Sequence, residues 1–265
     1  MLLNKHILKN YIKLYQNIIK MEPGQQIESD GYKVELLPED YAQYDLSFKI
    51  IVIGDSGVGK SSLTSKAAKN SFEEYYQATV GFEFLSFNLR LNEQVIKLQI
   101  WDTCGQEIYR SLISNFYRNS SLAVLVYAID NKESFDNMSQ WLDELKSQAN
   151  PDIRIFLVGN KSDLEENRKV AEDAAKSYAE MKKIDLFFET SAKTGFNAKN
   201  VLIEAAKILY GDYLKYKEAS RAGSLVSESV ASTQGVPLET KGKKLLGNGG
   251  LLKEKLKLNV KCCKS

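Results

Sequence analysis

The stretch "IVIGDSGVGKSSLTSKAAK", Ile51 to Lys69, decides the fold class. It opens as a short apolar strand, runs into glycines, and continues as a segment with good helix formers. Within it, "GDSGVGKS" (Gly54 to Ser61) has the spacing G-x-x-x-x-G-K-S. Glycines at these places let the backbone turn its N–H groups inward, and the helix that follows aims its positive end at the same point, which suits a polyphosphate. The expected lining is Ser56, Gly57, Val58, Gly59, Lys60, Ser61 and Ser62. Lys60 can bridge β- and γ-phosphates, and the Ser61 hydroxyl is a ligand for Mg²⁺.

Outward from this loop the chain alternates strand-like and helix-like runs. "FKIIVIG" (from Phe48), "LAVLVYAI" (Leu122 to Ile129) and "IRIFLVG" (Ile153 to Gly159) are continuous apolar strands, as expected where both sheet faces are covered. "FLSFNLRL" and "VIKLQIW" alternate around "NE" and predict a hairpin, and "LFFE" is a last strand. Helices are predicted over Lys60–Lys69, Ile108–Arg118, Ser134–Gln148, Ala171–Lys182 and Ala198–Tyr216. The pattern predicts an α/β P-loop NTPase fold of three layers: a six-stranded, mainly parallel sheet with helices on both faces.

The 265 residues, 43% hydrophobic, allow one sizeable core plus extensions. A net charge of +2 gives no case for nucleic-acid binding. No apolar run has membrane-spanning length, and the chain reads as intracellular. Residues 1–46 are expected to be an N-terminal extension, 47–216 the nucleotide-binding domain, and 217–265 a flexible lysine-rich tail. In the extension, Leu3, Ile7, Leu8, Tyr11, Ile12, Tyr15, Ile18 and Ile19 share one face of a 3.6-residue period, with lysines mostly elsewhere. Such a basic amphipathic helix can lie on anionic lipid, on a partner, or on the domain itself. Cys104 stands alone, whereas Cys262 and Cys263 are adjacent near the end, so no disulfide framework follows.

Two later loops address the base. "VGNKSDL" supplies Asn160, Lys161 and Asp163 after a buried strand. A carboxylate at Asp163 can accept from both the ring N–H and the amino group of guanine; adenine offers neither donor. Lys161 can cover the ring and Asn160 can tie this loop to the phosphate side. "TSAK" supplies Ser191, Ala192 and Lys193, with the Ala192 N–H available to the guanine oxygen, and Phe72 can pack against the base. "WDTCGQE" supplies Asp102 at a strand end as a Mg²⁺ ligand through water, Gly105 as a γ-phosphate contact, and Gln106 to orient the attacking water. Thr79, between the phosphate loop and the hairpin, is the candidate second side-chain ligand. Lys60 and Gln106 are the candidate catalytic groups. With no arginine-bearing insertion before Thr79, hydrolysis is expected at about 10⁻⁴ s⁻¹ alone and about 10⁵-fold faster with a donated arginine.

Together "GDSGVGKSSL", "QATVGFEF", "KLQIWDTCGQE", "YRSLISNFYRNS", "VGNKSDL" and "ETSAK" resemble the Ras superfamily, and within it the Rab family of membrane-traffic GTPases, over about Leu46 to Tyr216. The switch segments are most similar to the Golgi-associated subgroup. The resemblance implies a GTP/GDP switch with Mg²⁺, acting in intra-Golgi or Golgi-to-ER transport on the cytoplasmic face of internal membranes. It implies a monomer that works with an exchange factor, a GTPase-activating protein, a GDP-dissociation inhibitor, an escort protein and effectors. It also implies an exposed aromatic triad for effectors, Phe84, Trp101 and Tyr117, and geranylgeranyl groups on Cys262 and Cys263 of "CCKS". Cys104 replaces the family's usual alanine, and Ala128 a common aspartate. A hydrolysis-poor, GTP-bound scaffold of the same fold is the alternative reading.

Overall fold

The computed structural model describes residues 17–74, 79, 81–104 and 116–221. Eight strands form one sheet in the order β1-β2-β4-β5-β3-β6-β7-β8. The strand leading into the phosphate loop, β3 (Leu46–Ile53), is flanked by parallel partners on both sides, β5 (Gln94–Thr103) and β6 (Leu122–Ala128). β7 (Arg154–Asn160) and β8 (Leu186–Glu189) continue the parallel run. β4 (Phe82–Leu91) and β5 are the expected hairpin, closed through Asn92 at φ +54°.

Among the described residues the helices after β3 are α1 (Lys60–Lys69), α2 (Lys132–Asp136), α3 (Met138–Gln148), α4 (Glu172–Lys182) and α5 (Ala198–Arg221), with a 3₁₀ turn over Ser162–Asn167; most of the helix expected over Ile108–Arg118 lies outside the described residues. The single helix expected over Ser134–Gln148 is two. α2 ends at Asn137, whose N–H returns to the Glu133 carbonyl while its amide side chain reaches the phosphate loop.

Alternate residues of β3 face opposite layers, the period-2 rule of a strand. Ile50 and Val52 join the core beneath α1 and α5, with Leu98, Ile100, Leu202 and Ile203. Ile51 and Ile53 join the second core under α3 and α4, with Leu125, Leu157, Trp141 and Leu142. Both layers are therefore dry, and the polar loops gather at the C-terminal ends of β3, β5, β6, β7 and β8, where an open α/β sheet places its ligand.

The strand count is corrected from six to eight, because two strands upstream of residue 47 join the sheet. β1 (Gln26–Ser29) and β2 (Tyr32–Leu37) form a hairpin across Asp30 and Gly31, both at positive φ, and β2 pairs antiparallel with β4 from Val34↔Leu91 to Leu37↔Asn88. The Asp-Gly pair between alternating segments is a strong local hairpin signal. Its length and its place before the phosphate loop let it pass as extension. Just upstream, Ile18 and Met21 are each 1% exposed and sit in the same core as α1 and α5. The last turn of the basic amphipathic segment thus docks on the domain, while its residues 1–16 lie outside the described residues.

Met21→Ala is expected to lower stability by about 2–4 kcal/mol, the usual cost of emptying a buried methionine site. Chemical denaturation at saturating GDP and Mg²⁺ measures it; a loss under about 0.5 kcal/mol, the size of an ordinary surface change, would mean the segment is a passive attachment.

Candidate nucleotide site

The phosphate loop is held open by glycine geometry and closed by a lysine. Gly54 has φ +142°, and a β-carbon there would stand 2.1 Å from the Val126 carbonyl oxygen. Gly59, the residue before α1, has φ +90°, and a β-carbon there would meet the Asn160 amide nitrogen at 2.5 Å. Only glycine fits at either place. Lys60, 5% exposed, donates from Nζ to the Gly54 and Asp55 carbonyls at 2.8 Å each, so its ammonium bridges the loop from within. Burial lowers its pKa, opposed by the Asp102 and Asp55 charges. No acidic residue stands in the first turn of α1, which leaves that helix end attractive to anions.

Ser61, Thr79 and Asp102 converge as expected. The Ser61 hydroxyl lies 2.7 Å from that of Thr79 and donates to Asp102 Oδ2. Asp102 is fully buried, and its Oδ1 has no hydrogen-bond partner among the described residues. Burial pushes its carboxyl up to about 6, against the Ser61 hydrogen bond and the Lys60 charge, with Glu83 adding to the rise. Two hydroxyls and a carboxylate with an orphaned oxygen form a hard oxygen donor set that fits Mg²⁺.

The base loops are tied to the phosphate loop by Asn160, 1% exposed. Its Nδ2 donates to the Val58 carbonyl at 2.9 Å and the Gly59 carbonyl at 3.3 Å, and its Oδ1 accepts from Thr190 Oγ1 at 3.1 Å. The Ala192 N–H, expected to face the guanine oxygen, sits 3.3 Å from the same Asn160 Oδ1. Lys161 takes φ +66°, and its ammonium lies 3.8 Å from Asp130. Asp163 is solvent-exposed and accepts from the Ser191 hydroxyl, whose oxygen in turn accepts from the Thr194 N–H at 3.1 Å. The carboxylate is thereby aimed by the neighbouring loop. Lys193 is exposed, 3.6 Å from Glu74, and Phe72 is on the surface at 36% exposure. Ser56 and Gly57 are exposed, Val58 is buried and Ser62 half-buried in the first turn of α1. Gly105 and Gln106 lie outside the described residues, as do Cys262 and Cys263.

Sequence reasoning missed Asp55. Its two carboxylate oxygens accept from Asn137 Nδ2 and Trp141 Nε1, each at 2.7 Å, which fastens the loop's outer wall to α3. Asp55 occupies a variable place in the glycine spacing, so only the fold reveals the clamp.

The aromatic surface needs a correction. Phe84 is 47% exposed and packs edge-on against Trp101 at 5.4 Å between ring centroids. Tyr117, expected beside them, is fully buried, and its hydroxyl donates to Glu144 at 3.1 Å. The nearby ring that takes its place against Trp101 is that of Phe116, at 5.1 Å, with the half-exposed Phe82 packed at a tilt against both. Successive residues of a helix point about 100° apart, and the second core claimed the tyrosine.

Comparison with known proteins follows the same lines. The Ras family model matches residues 49–210. Over 180 residues the chain is 43% identical to Ras-related protein RABA1b of Arabidopsis thaliana, spanning 68% of this chain and 80% of that one. It is 41% identical over 199 residues to Ras-related protein YPT3 of Nicotiana plumbaginifolia, and 40% identical over 199 residues to Ras-related protein Rab11D of Lotus japonicus, in both cases over 75% of this chain and 90% of the relative. The Golgi-associated subgroup suggested by the switch segments gives way to relatives with Rab11 and RABA1 names. With the phosphate loop, hydroxyl–carboxylate centre and base loops at one sheet end, and with these relatives, the chain belongs to the Ras family and within it to the Rab small GTPases.

Proposed function

We propose that this GTPase holds GTP along the C-terminal sheet edge, with its phosphates on the amide-lined loop and its base against Asp163. The convergence of Ser61, Thr79 and Asp102, with a buried carboxylate oxygen that has no partner among the described residues, carries the reading. Mg²⁺ held there supplies neutralisation of charge developing on the phosphate oxygens. Lys60 adds a fixed cation in a site of low dielectric, where it costs no reorganisation as charge moves. Asn160 holds the base loops and the phosphate loop at constant separation, so one ligand bridges both. Gln106 aligns the attacking water, and Gly105 and Thr79 report whether the γ-phosphate is present.

The protein works in vesicle trafficking as a switch, with exchange factors, activating proteins, a GDP-dissociation inhibitor and effectors as partners. Its step is the one served by proteins of the Rab11 and RABA1 kind rather than an intra-Golgi one. Phe82, Phe84, Trp101 and Phe116 form the effector-facing aromatic surface. Geranylgeranyl groups on Cys262 and Cys263, with the lysine-rich approach before them, hold it to the cytoplasmic face of an internal membrane. Intact mass of the protein from its own cells tests the last point, since absence of isoprenoid mass would remove it.

Gln106→Leu is expected to slow activating-protein-stimulated phosphate release by at least about 100-fold while GTP affinity stays unchanged. Single-turnover hydrolysis measures this. Release at the normal rate would exclude the role given to Gln106, and no release from the unaltered protein would favour a GTP-bound scaffold.

A further inference from the structure

Helix α5 carries two lysines that are nearly as buried as Leu202 and Leu209. Lys199 and Lys207 are each 6% exposed, and their eight-residue spacing puts them on one helix face. Both reach the N-terminal segment. Lys207 Nζ donates to Ser29 Oγ at 2.7 Å and to Asp30 and Glu204 at 2.8 Å each, a buried cation matched by two carboxylates. Lys199 Nζ donates to the Met21 carbonyl, a neutral acceptor.

The two latches differ in where they pull. Lys207 lies in the middle of α5, away from the pocket. Lys199 lies in its first turn, directly after the loop that carries Ser191, Ala192 and Lys193. That loop is closed on itself: the Gly195 N–H donates to the Ser191 carbonyl at 2.8 Å, the Ser191 N–H to the Phe196 carbonyl at 3.0 Å, and the Ala198 N–H to the Gly195 carbonyl at 3.2 Å. Asn197 Nδ2 adds a bond to the Glu189 carbonyl at 2.9 Å. It is therefore tied to the start of α5. Its outer side is walled in: a β-carbon on Gly195 would stand 3.1 Å from Lys66 Cε of α1 and 3.8 Å from Ile19 Cγ2 of the N-terminal segment. From the same loop, Ser191 aims Asp163.

We propose that the N-terminal segment is a brace for the base-binding loop, in which Lys199, gripping the Met21 carbonyl, and Ile19, packed beside Gly195, are positioning residues that slow nucleotide release. The inference rests on the reading of Asp163 and the Ser191–Lys193 loop as the guanine pocket. A strap that only stabilised the domain would act equally through both lysines. A brace acts through Lys199 and Ile19 alone.

The test uses the full chain loaded with a fluorescent GDP analogue and Mg²⁺, chased with excess GDP, beside a denaturation curve for each variant. Lys199→Met keeps the side chain's bulk and removes the donor; release is expected about 10-fold faster, with no matching fall in denaturation midpoint. Ile19→Ala, a milder trim of a half-buried residue, is expected to speed release about threefold. Lys207→Met leaves two carboxylates without their cation, so its midpoint is expected to fall while release stays within about twofold of the unaltered protein. Release from Lys199→Met and Ile19→Ala at the unaltered rate would overturn the brace, as would equal acceleration by Lys207→Met. Competition of GDP against ADP on the unaltered protein tests the pocket separately. If GDP and ADP compete equally, the pocket reading falls and takes the brace with it. If GDP is preferred and the Lys199 and Ile19 variants release normally, only the brace falls.

Discussion

Asp163→Asn is expected to transfer the chain's base preference from guanine to xanthine. The carboxylate offers two acceptors to two guanine donors, whereas an asparagine amide offers one acceptor and one donor, the pattern that xanthine complements. Hydrogen bonds to charged groups contribute about 1.5–3 kcal/mol, and a mismatched donor left facing a donor adds its desolvation cost, so GDP affinity should fall by at least about 100-fold. The fold should hold, because Asp163 is exposed and its described partner, the Ser191 hydroxyl, can still donate to the amide oxygen. Competition binding with GDP, XDP and ADP reads the outcome. A variant that still preferred GDP over XDP would show that another group selects the base.

The second large effect concerns the phosphate loop. Gly54→Ala is expected to abolish nucleotide retention and to destabilise the domain by more than about 3 kcal/mol, at the upper end of single substitutions. Its β-carbon would fall 2.1 Å from a main-chain oxygen of Val126, in a strand that is hydrogen-bonded on both sides and has no room to retreat. Gly57→Ala is the internal control. Gly57 has φ +77° but nothing within 4 Å of a β-carbon, so its cost is only the strain of a left-handed alanine, about 1–2 kcal/mol. Denaturation of the two variants at equal GDP and Mg²⁺ should rank Gly54→Ala well below Gly57→Ala. Equal midpoints would mean the close approach to β6 is not what requires glycine.

Most of the candidate site was legible because its parts are local. A phosphate loop needs its glycines, lysine and serine within one turn of chain, and a base loop needs Asn160, Lys161 and Asp163 within four residues, so spacing alone displays them. Asp102 and Thr79 were legible by order along the chain, and the fold brought both to Ser61. Tyr117 was not: which of two adjacent aromatic residues, Phe116 or Tyr117, faces solvent depends on the phase of a helical turn against a core formed by distant residues. Asp55 was not, because its two donors, Asn137 and Trp141, belong to a helix more than eighty residues later.

By itself the order of residues determined the sheet's central strands, the phosphate loop and the candidate base loops, since continuous apolar runs and glycine spacing act over a few residues at a time. Only tertiary structure decided that the segment before residue 47 joins the sheet and its core. The segment around Ile18, Met21 and the β1–β2 hairpin has a modest local pattern, and its role comes from burial against α1 and α5 and from pairing with β4, hydrogen-bonded contacts across about fifty to one hundred and eighty residues of chain. Long-range burial of that kind depends on which surfaces the rest of the fold leaves uncovered, and no short stretch of sequence records it.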